Sequence, residues 1–254
     1  MLYLIGIGLN PKQLTIEAIE GIHDCSAVFL ENYTSRYSEG TLVELEHVLQ
    51  KKVVELGRKE VEEGASRLLE ESKQHNIALL VIGNPLLATT HIQLLLDAKK
   101  ENVPVRVIPG ISILDLLGKT GLDSYKFGRI STIVFQEENY APESFFDVIE
   151  KNFKNGFHSL CLLDIRSEEN RLMSVQEAIG IIEKIAKKKK AEWFSGAVMV
   201  GLYGLASKNE KIAVGNAKKL QNSGYTSWPQ SLVVCGKLNE KEKEALKELH
   251  GAEA

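Results

Sequence analysis

Residues 77–91 read "IALLVIGNPLLATTH", and the way this stretch divides decides the fold. Ile77 to Ile82 is apolar with no polar spacer, the pattern of a strand buried on both faces. Gly83-Asn84-Pro85 stops that strand, because glycine relaxes the backbone and proline can neither donate to a sheet ladder nor follow a helical residue comfortably. Small residues and two threonines come next, and His91 to Lys100 reads as a leucine-rich helix. A buried strand, an abrupt turn and a covering helix are the parts of a parallel sheet in an α/β protein.

Working outward, the same alternation fills residues 1 to about 110. "LYLIGIG" (2–8), "AVFLE" (27–31), "VVEL" (53–56) and "VPVRVIPG" (103–110) read as strands. Thr15–His23, residues 41–50, Val61–Asn76 and Ser112–Leu117 read as helices. Thr15 and Ser112 are placed to cap their helices, and Ile16, Ile19 and Ile22 fall on one helical face. From about residue 120 the strands lengthen and crowd together. "GRISTIVFQE" (128–137), "HSLCLLDI" (158–165), "GAVMVGLYG" (196–204), "EKIAV" (210–214) and "SLVVCGKL" (231–238) leave too little chain for every crossover to be helical, so a mixed sheet is expected. Helices are expected at Pro142–Asn155 and Met173–Lys187, after "EKIAV", and in the charged C-terminal segment. The expected division is an N-terminal α/β domain, 1–115, and a C-terminal α/β domain, 116–254, joined somewhere between residues 110 and 125 without a low-complexity linker. No internal repeat is visible.

Composition narrows the function. With 254 residues, 44% hydrophobic and 26% charged, the chain has the usage of an ordinary globular protein. A formal net charge of −3 argues against direct nucleic-acid binding through overall charge. The run Lys187–Lys190 closes a periodic helix, where basic side chains decorate a solvated last turn and favour the helix dipole. Cys25, Cys161 and Cys235 are odd in number and far apart, so neither a disulfide framework nor a zinc site is expected, and Cys161 and Cys235 read as buried strand residues. No apolar run reaches the ~18 residues of a membrane span, and "MLYLIGIG" reads as a strand rather than a leader, so a cytoplasmic protein with no membrane association is expected.

Three turns follow apolar strands: "GIGLNP" (6–11), "GNPLLATTH" (83–91) and "PGIS" (109–112). In a parallel sheet all three lie at the carboxyl edge, where ligands bind, and their small residues let the backbone approach a ligand closely. The common signatures are missing. Gly6-x-Gly8 lacks the third glycine of the dinucleotide fingerprint, and there is no P-loop, Gly-x-Ser-x-Gly or His-Glu-x-x-His. What remains is a small-ligand site poor in acids, bases and nucleophiles. His91, at a helix start beside the loop, reads equally as a capping or packing residue and as one that touches substrate, Asp164 reads as a turn or capping residue near Arg166, and Tyr125 and Phe127 read as core in preference to cleft lining; none is assigned as catalytic, and no metal ligand is assigned.

Taken in order, "MLYLIGIGL" (1–9), "GNPLLATTH", "GISI" (110–113), "YKFGR" (125–129), "PESFFDVIEKN" (142–152) and "LCLLDI" (160–165) resemble the diphthine synthases, methyltransferases of the diphthamide pathway within the tetrapyrrole methylase superfamily. The resemblance runs from Met1 to about Leu238 and implies a two-domain tetrapyrrole methylase-like fold whose domains form a cleft around S-adenosyl-L-methionine. It further implies N-methylation of a modified histidine of translation elongation factor 2, and a homodimer. At matching positions it implies cofactor contacts from Leu9, Asn84, Leu87, Ser112 and Ile113 in the first domain, and from Leu163, Leu205 and Gln230 in the second. Two positions depart from the family: Asn84 stands in a loop that normally reads Gly-Asp-Pro, and Gln230 where some relatives carry His. Asn keeps the acceptor oxygen but drops the charge. Rival readings are a methyltransferase acting on a corrin or porphyrin precursor, for which arginines such as Arg58, Arg106 and Arg129 would clamp carboxylates, and a subunit that binds the cofactor without turnover.

Overall fold

A computed structural model describes residues 1–63 and 65–252 of the chain. The chain divides into two compact units, Met1–Asp115 with Ala206–Lys208, and Leu116–Leu205 with Asn209–Ala254.

The first unit follows the alternation read from the sequence: β1 (Leu2–Gly6), α1 (Ile16–His23), β2 (Ala27–Glu31), α2 (Leu42–Leu49), β3 (Val54–Leu56), α3 (Ala65–Gln74), β4 (Ile77–Val81), α4 (Ile92–Lys100) and β5 (Val105–Ile108). The five strands form one sheet in the order β3-β2-β4-β1-β5, and every pairing is parallel. β4, taken from the opening stretch, is the middle strand and is buried along its whole length. Its fully apolar run is what a strand covered on both faces requires.

Helices cover both faces. Leu2, Leu4, Ile77 and Leu79 pack with Leu68 and Leu69 of α3 and with Leu94 and Ala98 of α4. Tyr3 points the other way in the pleat. It lies on the α1 side, where Gly21 leaves room beside it and Ile108, since a Cβ there would crowd both. The chain therefore leaves β1 toward one face and β4 toward the other. β1 and β4 are neighbours, so this parting of adjacent loops is the topological switch point at which open parallel sheets open a crevice.

Several local expectations are corrected. Thr15 does cap α1, accepting from Ala18 N, but Ile16 is 77% exposed while Ile22 is buried, so the isoleucine face splits. Ser112 does not cap a helix; its N–H and hydroxyl both donate to Asp115, and the helix there is a 3-10 turn, Leu114–Thr120. The helix expected over 61–76 begins as a π-helical turn, Lys59–Glu63, and continues as α3; its residue 64, like residues 253 and 254 of the expected C-terminal domain, lies outside the described residues.

The second unit contains β6 (Ser131–Ile133), α5 (Ser144–Lys154), β7 (Ser159–Leu163), β8 (Ile165–Arg166), β9 (Arg171–Leu172), α6 (Val175–Lys189), β10 (Met199–Tyr203), β11 (Lys211–Gly215), α7 (Ala217–Gln221), β12 (Gln230–Val234) and α8 (Glu240–His250). Its main sheet runs β11-β10-β12-β7-β6 and is mixed: β6 and β7 are parallel and the other pairs antiparallel. β6 is much shorter than the expected strand 128–137. The chain turns away at Phe135, whose N–H donates to the Asp164 carboxylate at 3.0 Å. Ser174 and Glu177 form a capping box at the start of α6, and Lys187, Lys188 and Lys189 at its end pair with Glu183, Glu143 and Asp147 at the surface.

Candidate functional site

Three glycines bring the turns of the first unit together. A Cβ on Gly6 would collide with the Gly110 nitrogen and the Gly83 carbonyl, and one on Gly110 would strike Gly83 and Gly6. Only hydrogen at these positions lets the ends of β1, β4 and β5 lie backbone against backbone. Gly83 N donates to Gly8 O at 2.9 Å, and both residues have positive φ, +88° and +73°. Leu9 Cδ2 and Ser112 Cα come within 3.9 and 4.0 Å of where a Gly83 Cβ would stand. Leu9, Asn84, Leu87, Ser112 and Ile113 thus share one edge of the sheet, as the strand ends demand.

Within this edge Leu9 and Ser112 are buried, whereas Leu87 is 43% exposed. Asn84 Oδ1 accepts from Leu86 N at 3.0 Å, so the side chain folds back on its own turn. His91 is 2% exposed, and its Nδ1 lies 3.0 Å from Pro85 O. Beyond it, Tyr33, Glu62, Thr90, His91 and Leu94 line a cavity of about 240 Å³. Burial pushes the Tyr33 phenol up to about 12, with the Glu31 and Glu62 carboxylates adding to the effect. Sequence reasoning passed over Glu31. It is fully buried at the end of β2 and accepts from the backbone of Tyr33 and Thr34, which fixes the following loop; its only signal was an acidic residue closing an apolar strand.

In the second unit Leu163 ends β7, Gln230 starts β12 and Leu205 follows β10. Ser231 pairs with Leu162 and Gln230 with Tyr203, so the three residues collect at one edge of the mixed sheet. Gln230 is buried and its amide is occupied: Oε1 accepts from Val175 N at 2.8 Å, and Nε2 donates to the carbonyls of Tyr225 and Ser227. Its part in this edge is to hold the shape.

The other candidates sort themselves. Asp164 accepts a backbone N–H and lies 3.9 Å from Arg166, a turn role. Tyr125 is 93% exposed, correcting its reading as core, while Phe127 meets the His158 ring edge-on at 5.4 Å. The thiols of Cys25, Cys161 and Cys235 are free and buried, and burial raises them to about 11, 12 and 12, which makes them poor nucleophiles. Arg58 follows β3 and stacks over Tyr33, whereas Arg106 lies in β5 and pairs with Glu17. β3 and β5 are opposite edges of the sheet, roughly 19 Å apart at strand spacing, so these two arginines do not form a polycarboxylate clamp. Among the described residues, no group of three or more His, Cys, Asp or Glu side chains is placed to hold a metal ion, and no helix is long and apolar enough to cross a membrane.

Two sheets, with glycine-rich turns at a switch point and a site without an obvious acid, base or nucleophile, define a class. The family model for tetrapyrrole (corrin/porphyrin) methylases matches residues 1–221. A diphthine synthase of Methanocaldococcus jannaschii is 37% identical over 255 residues, 98% of each chain. A diphthine methyl ester synthase of Bos taurus is 37% identical over 257 residues, 93% of this chain and 90% of that one. A crystal structure of diphthine synthase superposes with a TM-score of 0.87 at 28% identity, over 100% of this chain and 97% of that one. The chain belongs to the diphthine synthases of the tetrapyrrole methylase family, and it is a methyltransferase.

Proposed function

We propose that the chain uses S-adenosyl-L-methionine to methylate the amino group of the modified histidine of translation elongation factor 2, acting as a homodimer in the cytoplasm. The observation that carries this reading is the near full-length identity to diphthine synthases. The cofactor contacts proposed in the first unit are Leu9, Asn84, Leu87, Ser112 and Ile113, and those proposed in the second unit are Leu163, Leu205 and Gln230. The donor set fits an adenosyl group. Leucines and an isoleucine suit the faces of a base, the close-packed glycines keep side chains off the backbone there, and the Asn84 and Gln230 amides and the Ser112 hydroxyl hold the turns that present them.

When bound, the cofactor supplies a methyl carbon already activated by a sulfonium. The task of the chain is therefore placement and exclusion of water, which can provide most of the acceleration. An acceptor amine must be neutral to react, and a dry site disfavours its ammonium form without a dedicated base. This agrees with an edge built from aliphatic and neutral polar side chains.

A second reading is favoured by the name of the Bos taurus relative: a carboxylate of the same modified residue is methylated as well. A carboxylate is already deprotonated at neutral pH, so the same placement mechanism serves it.

The test is mass spectrometry of elongation factor 2 carrying the aminocarboxypropyl-histidine, incubated with the protein and S-adenosylmethionine against a cofactor-free control. Stepwise methyl additions confined to that histidine are expected. Mild alkali removes any ester methyl and leaves the amine methyls, which separates the two readings. An unchanged mass, with cofactor binding demonstrated separately, sends the search to tetrapyrrole acceptors or to a role without turnover.

A further inference from the structure

One peptide plane in the 83–91 turn is held at both ends. The Pro85 carbonyl accepts from Thr89 Oγ1 at 2.6 Å and faces His91 Nδ1 at 3.0 Å. The N–H of the same peptide, at Leu86, donates to Asn84 Oδ1 at 3.0 Å, and Leu87 N reaches back to Asn84 O at 3.3 Å. A carbonyl only accepts, so His91 Nδ1 carries a proton, and in the neutral form of the ring Nε2 is the acceptor nitrogen. Nε2 is buried with no hydrogen-bond partner among the described residues, on a ring that lines the 240 Å³ cavity. The two nitrogens therefore do different work. The turn needs outside support, because Ala88 sits at φ +58°, a conformation that side chains other than glycine's disfavour. The near end of the turn is anchored by Gly83 on Gly8; the far end depends on Thr89 and His91.

We propose that His91 is a positioning residue for the cofactor: through Nδ1–H it fixes the Pro85–Leu86 peptide, and with it the placement of Asn84 and Leu87. The inference rests on the reading that this turn contacts S-adenosylmethionine. It differs from the packing or capping role expected of His91, since it assigns the function to one ring nitrogen and one carbonyl.

Isosteres separate the nitrogens. In His91→Asn the amide nitrogen stands near the Nδ1 position; in His91→Gln it stands near Nε2. Direct titration with S-adenosylmethionine should give a Kd within about twofold of wild type for His91→Asn and about fivefold or more weaker for His91→Gln, the loss of roughly one net hydrogen bond. In turnover the cofactor KM should follow the same order while the KM for the protein acceptor stays level. The unfolding midpoint of His91→Gln should lie below that of His91→Asn, since only the former loses the bond to the Pro85 carbonyl, with both variants folded at the titration temperature; a histidine that acted by packing alone would show equal Kd values in both. Equal Kd values with wild-type binding intact, or a loss in His91→Asn alone, overturn the role of Nδ1. No binding by wild type overturns the cofactor reading of the turn and the inference with it. A further measurement needs no variant: two-dimensional 15N–1H correlation of the wild-type imidazole should show the Nδ1–H tautomer, and an Nε2–H tautomer overturns the assignment.

Discussion

At residue scale, Asn84 shows what a single departure from a family pattern changes. Its side-chain oxygen accepts from Leu86 N, a bond an aspartate makes equally well. With that bond kept, Asn84→Asp is expected to leave cofactor affinity within about threefold in a direct titration. Asn84→Ala removes the acceptor and should weaken binding by about 1 kcal/mol, some fivefold. A tenfold tightening in Asn84→Asp would instead make charge the operative quantity. The sequence marked this position because Gly-Asn-Pro interrupts an apolar run, but it could not show that Asn84 bonds to its own turn. The partners of His91 were equally out of reach: a ring six residues beyond Pro85 meets that carbonyl only once the turn is folded.

At the scale of elements, α8 is held by a buried polar cluster that no local pattern announced. Glu242 is at once the capping-box residue of α8 and, 2% exposed, the acceptor for His158 Nε2 at 2.8 Å, Asp123 N at 3.0 Å and the Lys126 ammonium. His158 Nδ1 accepts from Gly236 N, so the ring is neutral with its proton on Nε2; burial lowers the His158 pKa, against the pull of Glu242. Burial also opposes the charge on Glu242, but the Lys126 ammonium, the Asn239 and Asp123 N–H groups and His158 outweigh it and bring the carboxyl from its ordinary 4.5 down to about 2. A depressed carboxyl contributes stability that is complete above its unfolded pKa and is lost as pH falls through the folded one. The urea midpoint should therefore decline between pH 4.5 and about 2, and Glu242→Gln should flatten that decline. At neutral pH the variant should be less stable by about 3 kcal/mol, since it leaves the partners of a buried ion unpaired. A parallel slope in both proteins would place the acid sensitivity elsewhere. The charged helix was legible from the sequence; its anchor was not, because Asp123, Lys126, His158 and Glu242 are scattered over the second unit.

At the scale of the whole molecule, ligand and stability are linked. If S-adenosylmethionine binds only the native chain, a hundredfold excess over its Kd should raise the unfolding free energy by about 2.7 kcal/mol in denaturant titrations. An unmoved midpoint at that excess would count against a cofactor site built on the native sheet edges. The alternation of strands and helices in the first unit, the burial of β4 and the opening of the chain at Gly83 and Gly110 were determined by the sequence itself, because they follow from side-chain periodicity and from the conformational freedom of glycine and proline. The order β3-β2-β4-β1-β5, the pairing of Leu2 with Ile77, the contact of three glycines from three turns, the shortening of β6 and the tautomer of His91 were decided only in the folded chain. Each depends on groups far apart in sequence meeting in space, and periodicity assigns a residue to a face without naming the neighbour it will find there.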